Sequence, residues 1–519
     1  MSIFAKFATV GGTTMISRVL GFVREALIAA TLGAGPVADA FYAAFRFPNL
    51  FRRLFAEGAF NSAFVPLFAK ELEGGGREAA RLFAEQVMAA LIFVLLLISA
   101  LCMIAMPFLV GTVIAPRFAD TPDKFDLTVT LTRIMFPYLA AMSLVAMFSG
   151  ILNAFRRYFL AAFVPVMLNA VMIGALLIAM ARQADETGYG LALAWGVLVA
   201  GFVQLALIYY GVRRENFSLG FRVPRPTPAV KRVLWLALPA AITGGITQIN
   251  LLVGQIIASG QDGAIAVINY ADRILQLPLS TIGVAIGVVL LPELARALKA
   301  GDVADAAALQ NRSLEFGLGL TIPATIGLAV MPGPIVALLF ERGAFTRETT
   351  EVTAAVLRAF AFGLPAFVLI KIFQPGFYAR EDMRTPMWYA GVGVVVNIVA
   401  SLLLFPIYGV VGIGYATTAF GVVNAVMLGG TLWRRNLFRP SRATRNRILL
   451  IVVGSALMGL ALHFAVGAFD EILYDANVLV RLLAVGATIG GGAALYFAFT
   501  LLTGAIERRH LMKLLRRRG

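Results

Sequence analysis

Three short stretches carry charge where the surrounding sequence is apolar. Residues 17–33, SRVLGFVREALIAATLG, hold Arg18, Arg24 and Glu25. Residues 39–58, DAFYAAFRFPNLFRRLFAEG, place Asp39, Tyr42, Arg46, Asn49 and Arg53 at spacings of three and four, hence on one helical face. Arg52 lies beside that stripe, and Glu57 follows one turn beyond Arg53. Residues 269–278, NYADRILQLP, repeat the pattern with Asn269, Asp272, Arg273 and Gln276. An arginine at mid-bilayer costs about 2.5–3.5 kcal/mol on insertion scales, and such charges face a bundle interior or a wet cavity. Ion pairing is one use for them, for example Arg18 with Glu25 or Arg24 with Asp39. The set as a whole is cationic, since Arg18, Arg24, Arg46, Arg52, Arg53 and Arg273 outnumber Glu25, Asp39, Glu57 and Asp272. A guanidinium donates two parallel hydrogen bonds and keeps its charge when partly desolvated, so a cavity lined this way suits a phosphate or diphosphate.

The elements that must position these groups are membrane helices. Of the 519 residues, 60% are hydrophobic and 14% charged, and the mean hydropathy is +0.85. Apolar runs of about 20 residues, enough to span a bilayer, follow one another along the chain. Fourteen spans are expected between residues 8 and 503, among them 83–111, 127–153, 312–340 and 351–377. The net charge of +16 sits in short loops between spans rather than in a basic soluble domain, which excludes a nucleic-acid footprint. Lysine and arginine alternate between the two sides, so both termini are expected in the cytoplasm, with no cleaved signal. The single cysteine, Cys102, allows no internal disulfide. The two histidines, His463 and His510, form no metal cluster or nucleophile–base motif, which argues against a membrane enzyme acting on lipid phosphates.

The halves of the chain resemble each other. At a shift of 225 residues, Pro107, Arg117, Arg133, Phe148 and Ala154 match Pro332, Arg342, Arg358, Phe373 and Ala379. Six helices per half keep the same orientation, giving parallel repeats. The expected organisation is an N-lobe at 1–220, a C-lobe at 221–440, and two further helices with a basic tail at 441–519. The repeat pairs Arg133 with Arg358, which suggests a shared structural or gating role. Arg358, Lys371 and Gln374 add polar groups to the tenth span.

SRVLGFVREALIAATLGAG and ADAFYAAFRFPNLFRRLFAEGAFNSAFVPLF closely resemble the start of the MurJ (MviN) lipid II flippase family, within the MOP exporter superfamily. YADRILQLP, LLPELAR and QPGFYAREDMRTP resemble later motifs of that family. The resemblance implies an all-α polytopic protein of fourteen transmembrane helices, with two six-helix lobes around a central cavity. It implies that the last two helices form a groove for a polyprenyl tail. The implied activity is export of the undecaprenyl-diphosphate-linked peptidoglycan precursor, lipid II, across the bacterial inner membrane by alternating access, without catalysis. It assigns substrate binding to Arg18, Arg24, Arg52 and Arg273, and a transport role to Asp39; Asn49, Arg53, Glu57, Asp272 and Gln276 are carried with them as transport-associated. Membrane lipids and cell-wall synthesis proteins are the further partners it implies. No cofactor or metal is expected. Some members bind sodium through an aspartate on the seventh helix, where this chain has Gln248 and Asn250 but no acid, so membrane potential is the expected driving force. The alternatives within the superfamily are a flippase for another polyprenyl-linked glycan or a multidrug exporter; from a different class, a scaffold for cell-wall synthesis remains.

Overall fold

The computed structural model describes residues 3–53, 60–475 and 477–505; Glu57 lies outside them. The described chain is almost entirely helical. It divides into two compact units: residues 1–266 with 342–345, and residues 267–341 with 346–519.

In the first unit, α1 (Ile3–Leu32) and α2 (Pro36–Phe51) are joined by a tight turn at Gly33. Then come α3 (Phe60–Ile104) and the short α4 (Met106–Leu109). A wide helical turn and a 3-10 turn lead to α5 (Pro122–Met135) and α6 (Tyr138–Ala154). Next are α7 (Phe159–Ala181), α8 (Glu186–Arg214) and α9 (Pro228–Ala258). Gly76, at φ +73°, kinks α3 where the polar stretch EGGGRE meets the apolar run. Within this unit α1 packs on α7, α2 on α5, and α3 on both α6 and α9. The first three residues of α10 (Ala264–Lys299) also belong here.

The second unit holds the rest of α10, then α11 (Val303–Val330), α12 (Pro332–Phe340), α13 (Arg347–Ala361) and α14 (Leu364–Tyr378). It continues with α15 (Arg384–Tyr408), α16 (Val410–Arg434), α17 (Arg442–Ala468), the single turn α18 (Asp470–Leu473) and α19 (Val478–Leu502). α17, the thirteenth expected span, packs on α11 and on α19. Side-chain caps start several of these helices: the Asp302 carboxylate accepts from Asp305 N at 2.8 Å, and Ser441 Oγ from Thr444 N at 3.0 Å.

Four expected spans are not single helices. The run 127–153 breaks at Phe136–Pro137 into α5 and α6, and 351–377 breaks at Phe362–Gly363 into α13 and α14. The run 83–111 ends at Ile104 before Pro107, and 312–340 breaks at Met331 before Pro332. Proline lacks the donor that would continue the helix, and it is tolerated where a new helix begins. The breaks fall at corresponding points of the two halves. The breaks after α3 and after α11 are braced in the same way: Arg133 Nε donates to Met103 O at 2.9 Å, and Arg358 Nε to Ala329 O at 3.0 Å. Both arginines thus satisfy a carbonyl left open where a span is interrupted, the orphan that a helix end creates. Among the described residues, ten helices or joined helix pairs are long and apolar enough to cross a membrane; that criterion alone does not establish the count of fourteen. The charged α1 and the 16-residue α2 are not among the ten.

Candidate functional site

In the C-terminal third of α1, Arg24 is only 6% exposed. Its guanidinium is paired with the carboxylate of Glu25, and Nη1 donates to Asn169 Oδ1 on α7 at 2.9 Å. Asn169 Nδ2 in turn donates to Ser17 O at 2.9 Å, and Tyr42 on α2 donates to the second Glu25 oxygen at 2.6 Å. Three helices are thereby joined through one buried polar network, which is how an ion pair survives among apolar helices. The pairings differ from those the sequence suggested: Glu25 takes Arg24 rather than Arg18, and Arg24 is not the partner of Asp39. Arg18, two turns earlier, is half-buried.

Asp39, in the first turn of α2, belongs to a separate cluster. It is fully buried, and all three of its partners come from other elements. Lys124 Nζ on α5 donates to Asp39 Oδ2 at 2.8 Å; Gly263 N and Ala266 N, at the start of α10, donate at 2.7 and 3.0 Å. Lys124 also bonds Asp262 at 2.8 Å and lies 4.2 Å from the centre of the Phe118 ring. Asp39 therefore acts as a cap for the α10 N-terminus, with its negative charge set against the positive end of the helix. Residues 342–345 dock on the end of α1 and the turn into α2. Ala344 N donates to Ala30 O at 2.9 Å. Gly33 and Gly343 both have positive φ, and a Cβ on either would lie 2.4 Å or less from a backbone oxygen across the contact. Only glycine permits that approach.

At the other end of α2, Arg52 is half-buried and its Nε donates to Asn49 Oδ1 at 2.8 Å, so Asn49 orients it; Arg53 is exposed. The residues that spacing groups on one face reach separate partners: Asp39 reaches Lys124 and the start of α10, Tyr42 reaches Glu25, and Asn49 reaches Arg52. On α10, Gln276 donates to the carboxylate of Asp272 one turn earlier, and Arg273 is half-buried beside it. Lys371 is exposed on α14, with its stem against Gly283 of α10.

Sequence reasoning missed Lys124, Asn169 and Arg481. Lys124, the first cation after the Thr121–Pro122 helix start, stands among Asp120, Asp123 and Asp126, which mask it in the sequence. Asn169 and Arg481 stand alone in apolar runs, a signal that was available. Arg481 is buried, donating to Ala337 O at 2.7 Å and Asp475 O at 2.9 Å, so it ties α19 to the end of α12.

The arrangement holds no nucleophile paired with a base, and no group of three metal-binding side chains occurs among the described residues. What it offers is half-buried arginine held on helices. Residues 28–484 match the family model described as lipid II flippase MurJ. A probable lipid II flippase MurJ of Rhizobium tropici is 52% identical over 518 residues, covering 99% of this chain and 97% of the relative. The lipid II flippase MurJ of Burkholderia cenocepacia is 35% identical over 510 residues, covering 97% and 98%. Among solved structures, a lipid II flippase MurJ in an inward closed conformation superposes with a TM-score of 0.78 at 23% identity, over 97% of this chain and 99% of the other. An inward-facing MATE multidrug transporter of the MOP superfamily superposes at 0.66 and 16% identity, over 85% and 98%, so the fold is shared with exporters. With the family model spanning most of its length and relatives aligned from end to end, the chain belongs to the MurJ lipid II flippase family.

Proposed function

We propose that this multi-pass membrane protein flips lipid II from the inner to the outer leaflet of the bacterial cytoplasmic membrane, with both termini in the cytoplasm. The observation that carries the reading is end-to-end membership of the family. Arg18, Arg52 and Arg273 are the side chains proposed to hold the diphosphate, because half-burial leaves a guanidinium both accessible and poorly hydrated. Arg24 has a different proposed role. With Glu25, Asn169 and Tyr42 around it, it fixes α1 against α2 and α7, and it takes the substrate only by exchanging Glu25 for phosphate. Asp39 and Lys124 are proposed as the closure of the outer end during loading, released when the site turns outward. A bound substrate drives that change only by binding the two states unequally.

Membrane potential is the proposed driving force. Two negative charges moving outward from a negative interior gain up to about 4.6 kcal/mol per 100 mV, if the moving arginines do not neutralise them. Cell-wall synthesis enzymes are proposed as neighbours that use the exported lipid. The test is protection of lipid II in depleted cells from an external enzyme that cleaves it only in the outer leaflet. Re-expression of the wild type should restore cleavage, and Arg273→Ala should restore little of it. Full restoration by Arg273→Ala would remove that residue from the site. Cleavage that persists without the protein would favour another polyprenyl-linked glycan as substrate.

A further inference from the structure

An apolar cavity of about 220 Å³ lies on the first unit between α3 and α9. Along α3 it runs from Val87 to Ile98, and along α9 from Val230 to Leu238. Leu139 and Ser143 of α6 also line it, and Ser143 Oγ is already spent on Leu139 O at 2.9 Å. The lining is almost wholly hydrocarbon, so neither a polar solute nor ordered water has partners there. Eleven residues of helix rise about 16 Å, close to one leaflet of a hydrocarbon core of about 30 Å. That length suits an acyl chain, whereas a polyprenyl tail is far longer.

One end of the cavity is basic. Glu85, half a turn before Val87, accepts from Arg81 at 2.9 Å, Arg222 at 2.6 Å and Gly220 N at 2.7 Å. Burial pulls this carboxylate in, yet each arginine side chain remains half exposed. Lys231 and Arg232, exposed in the first turn of α9, flank Val230 and Val233 of the lining. Four cations and one consumed carboxylate therefore stand at the end of the cavity that the positive-inside pattern assigns to the cytoplasmic leaflet.

We propose that this cavity is a binding site for one anionic phospholipid of the inner leaflet, with an acyl chain between α3 and α9 and its phosphate on the Lys231–Arg232 end. None of the proposed substrate arginines lines the cavity, and the inference does not depend on what the protein transports. Trp235, 75% exposed on α9 beside the lining residue Leu234, is a native reporter. A variant keeping it as sole tryptophan (Trp195→Phe, Trp388→Phe, Trp433→Phe) would be placed in phosphatidylcholine nanodiscs. Phosphatidylglycerol or phosphatidylcholine with brominated acyl chains would then be titrated in. Brominated phosphatidylglycerol should quench with a saturating component at low mole fraction, about fivefold favoured over brominated phosphatidylcholine, as attraction to basic residues near a surface implies. Ala237→Phe, which fills the cavity, should abolish that component. Lys231→Gln with Arg232→Gln should remove the preference for the anionic lipid while chain-dependent quenching persists. Equal quenching by the two lipids would mean bulk annular contact only and would overturn the site. So would a saturating component that survives Ala237→Phe.

Discussion

Replacing Asp39 with alanine removes the acceptor that joins α2, α5 and the start of α10. The carboxylate is 0% exposed and accepts Lys124, Gly263 N and Ala266 N. Breaking a buried ion pair by deleting one partner costs about 3–5 kcal/mol, because the other charge is left desolvated. Lys124 keeps Asp262, whose side chain is 83% exposed, so the lower figure applies. A loss of about 3 kcal/mol corresponds to about 150-fold more of the opened form. The assay is maleimide labelling of Ala264→Cys in a Cys102→Ser background. Ala264 is 1% exposed in the first turn of α10, so its labelling rate follows opening of this junction. Asp39→Ala should speed labelling by about two orders of magnitude. Asp39→Ala with Lys124→Met should bring it back most of the way, since no uncompensated charge is left. Additive rates in that double variant, or an increase below about fivefold in the single one, would refute the reasoning that desolvated charge holds this end together.

Three other outcomes follow from the same geometry. Glu25→Ala should reduce the yield of folded protein through the Arg24 charge left buried, whereas Arg24→Met with Glu25→Met should fold yet transport poorly, as measured by detergent-resistant monomer and the lipid II cleavage assay. Arg481→Met should lower stability by about 2–4 kcal/mol through two orphaned carbonyls, read as an earlier thermal loss of the monodisperse peak, with Arg481→Lys partly restoring it. Asp382, in the loop between α14 and α15, accepts from Thr385 N at 3.0 Å, Thr385 Oγ1 at 2.7 Å and Arg435 at 3.0 Å. The Thr385 hydrogen bonds, followed by Arg435, hold its pKa below the ordinary carboxylate value. Its contribution is therefore complete above the unfolded carboxylate pKa and is lost as pH falls through the lowered folded value. Asp382→Asn should flatten that acid-side loss of thermal stability.

The charged residues of α1, α2 and α10 were legible from their types, because an ion in an apolar run must face protein or water. Their partners were not. Arg24 and Glu25 are adjacent in sequence, and neighbours on a helix do not face each other; they meet because Asn169 and Tyr42 hold their ends from two other helices. Asp39 and Arg24 suggest a pair by charge alone, yet Asp39 is at the start of α2 and bonds elements more than 80 residues away. The repeat was visible in matched prolines. Their effect on the helices was harder to read, since hydropathy runs unbroken through Phe136–Pro137 and Phe362–Gly363 while the backbone does not.

Buried charge in this protein falls into two kinds, and the difference bears on transport. Asp39, Lys124, Arg24, Glu25 and Arg481 are nearly inaccessible and matched by specific partners, so their desolvation cost is offset within the fold. Arg18, Arg52 and Arg273 are half-buried. A half-buried guanidinium keeps part of its surface open to a phosphate oxygen whatever partners it has in the fold, while a fully enclosed one must first be uncovered. Substrate affinity should therefore rest mainly on the half-buried arginines, and the matched set should decide which conformation presents them. In the proposed cycle the lock on α2, α5 and α10 would change state without altering the chemistry of the arginines themselves, so that a diphosphate could be bound and still be released.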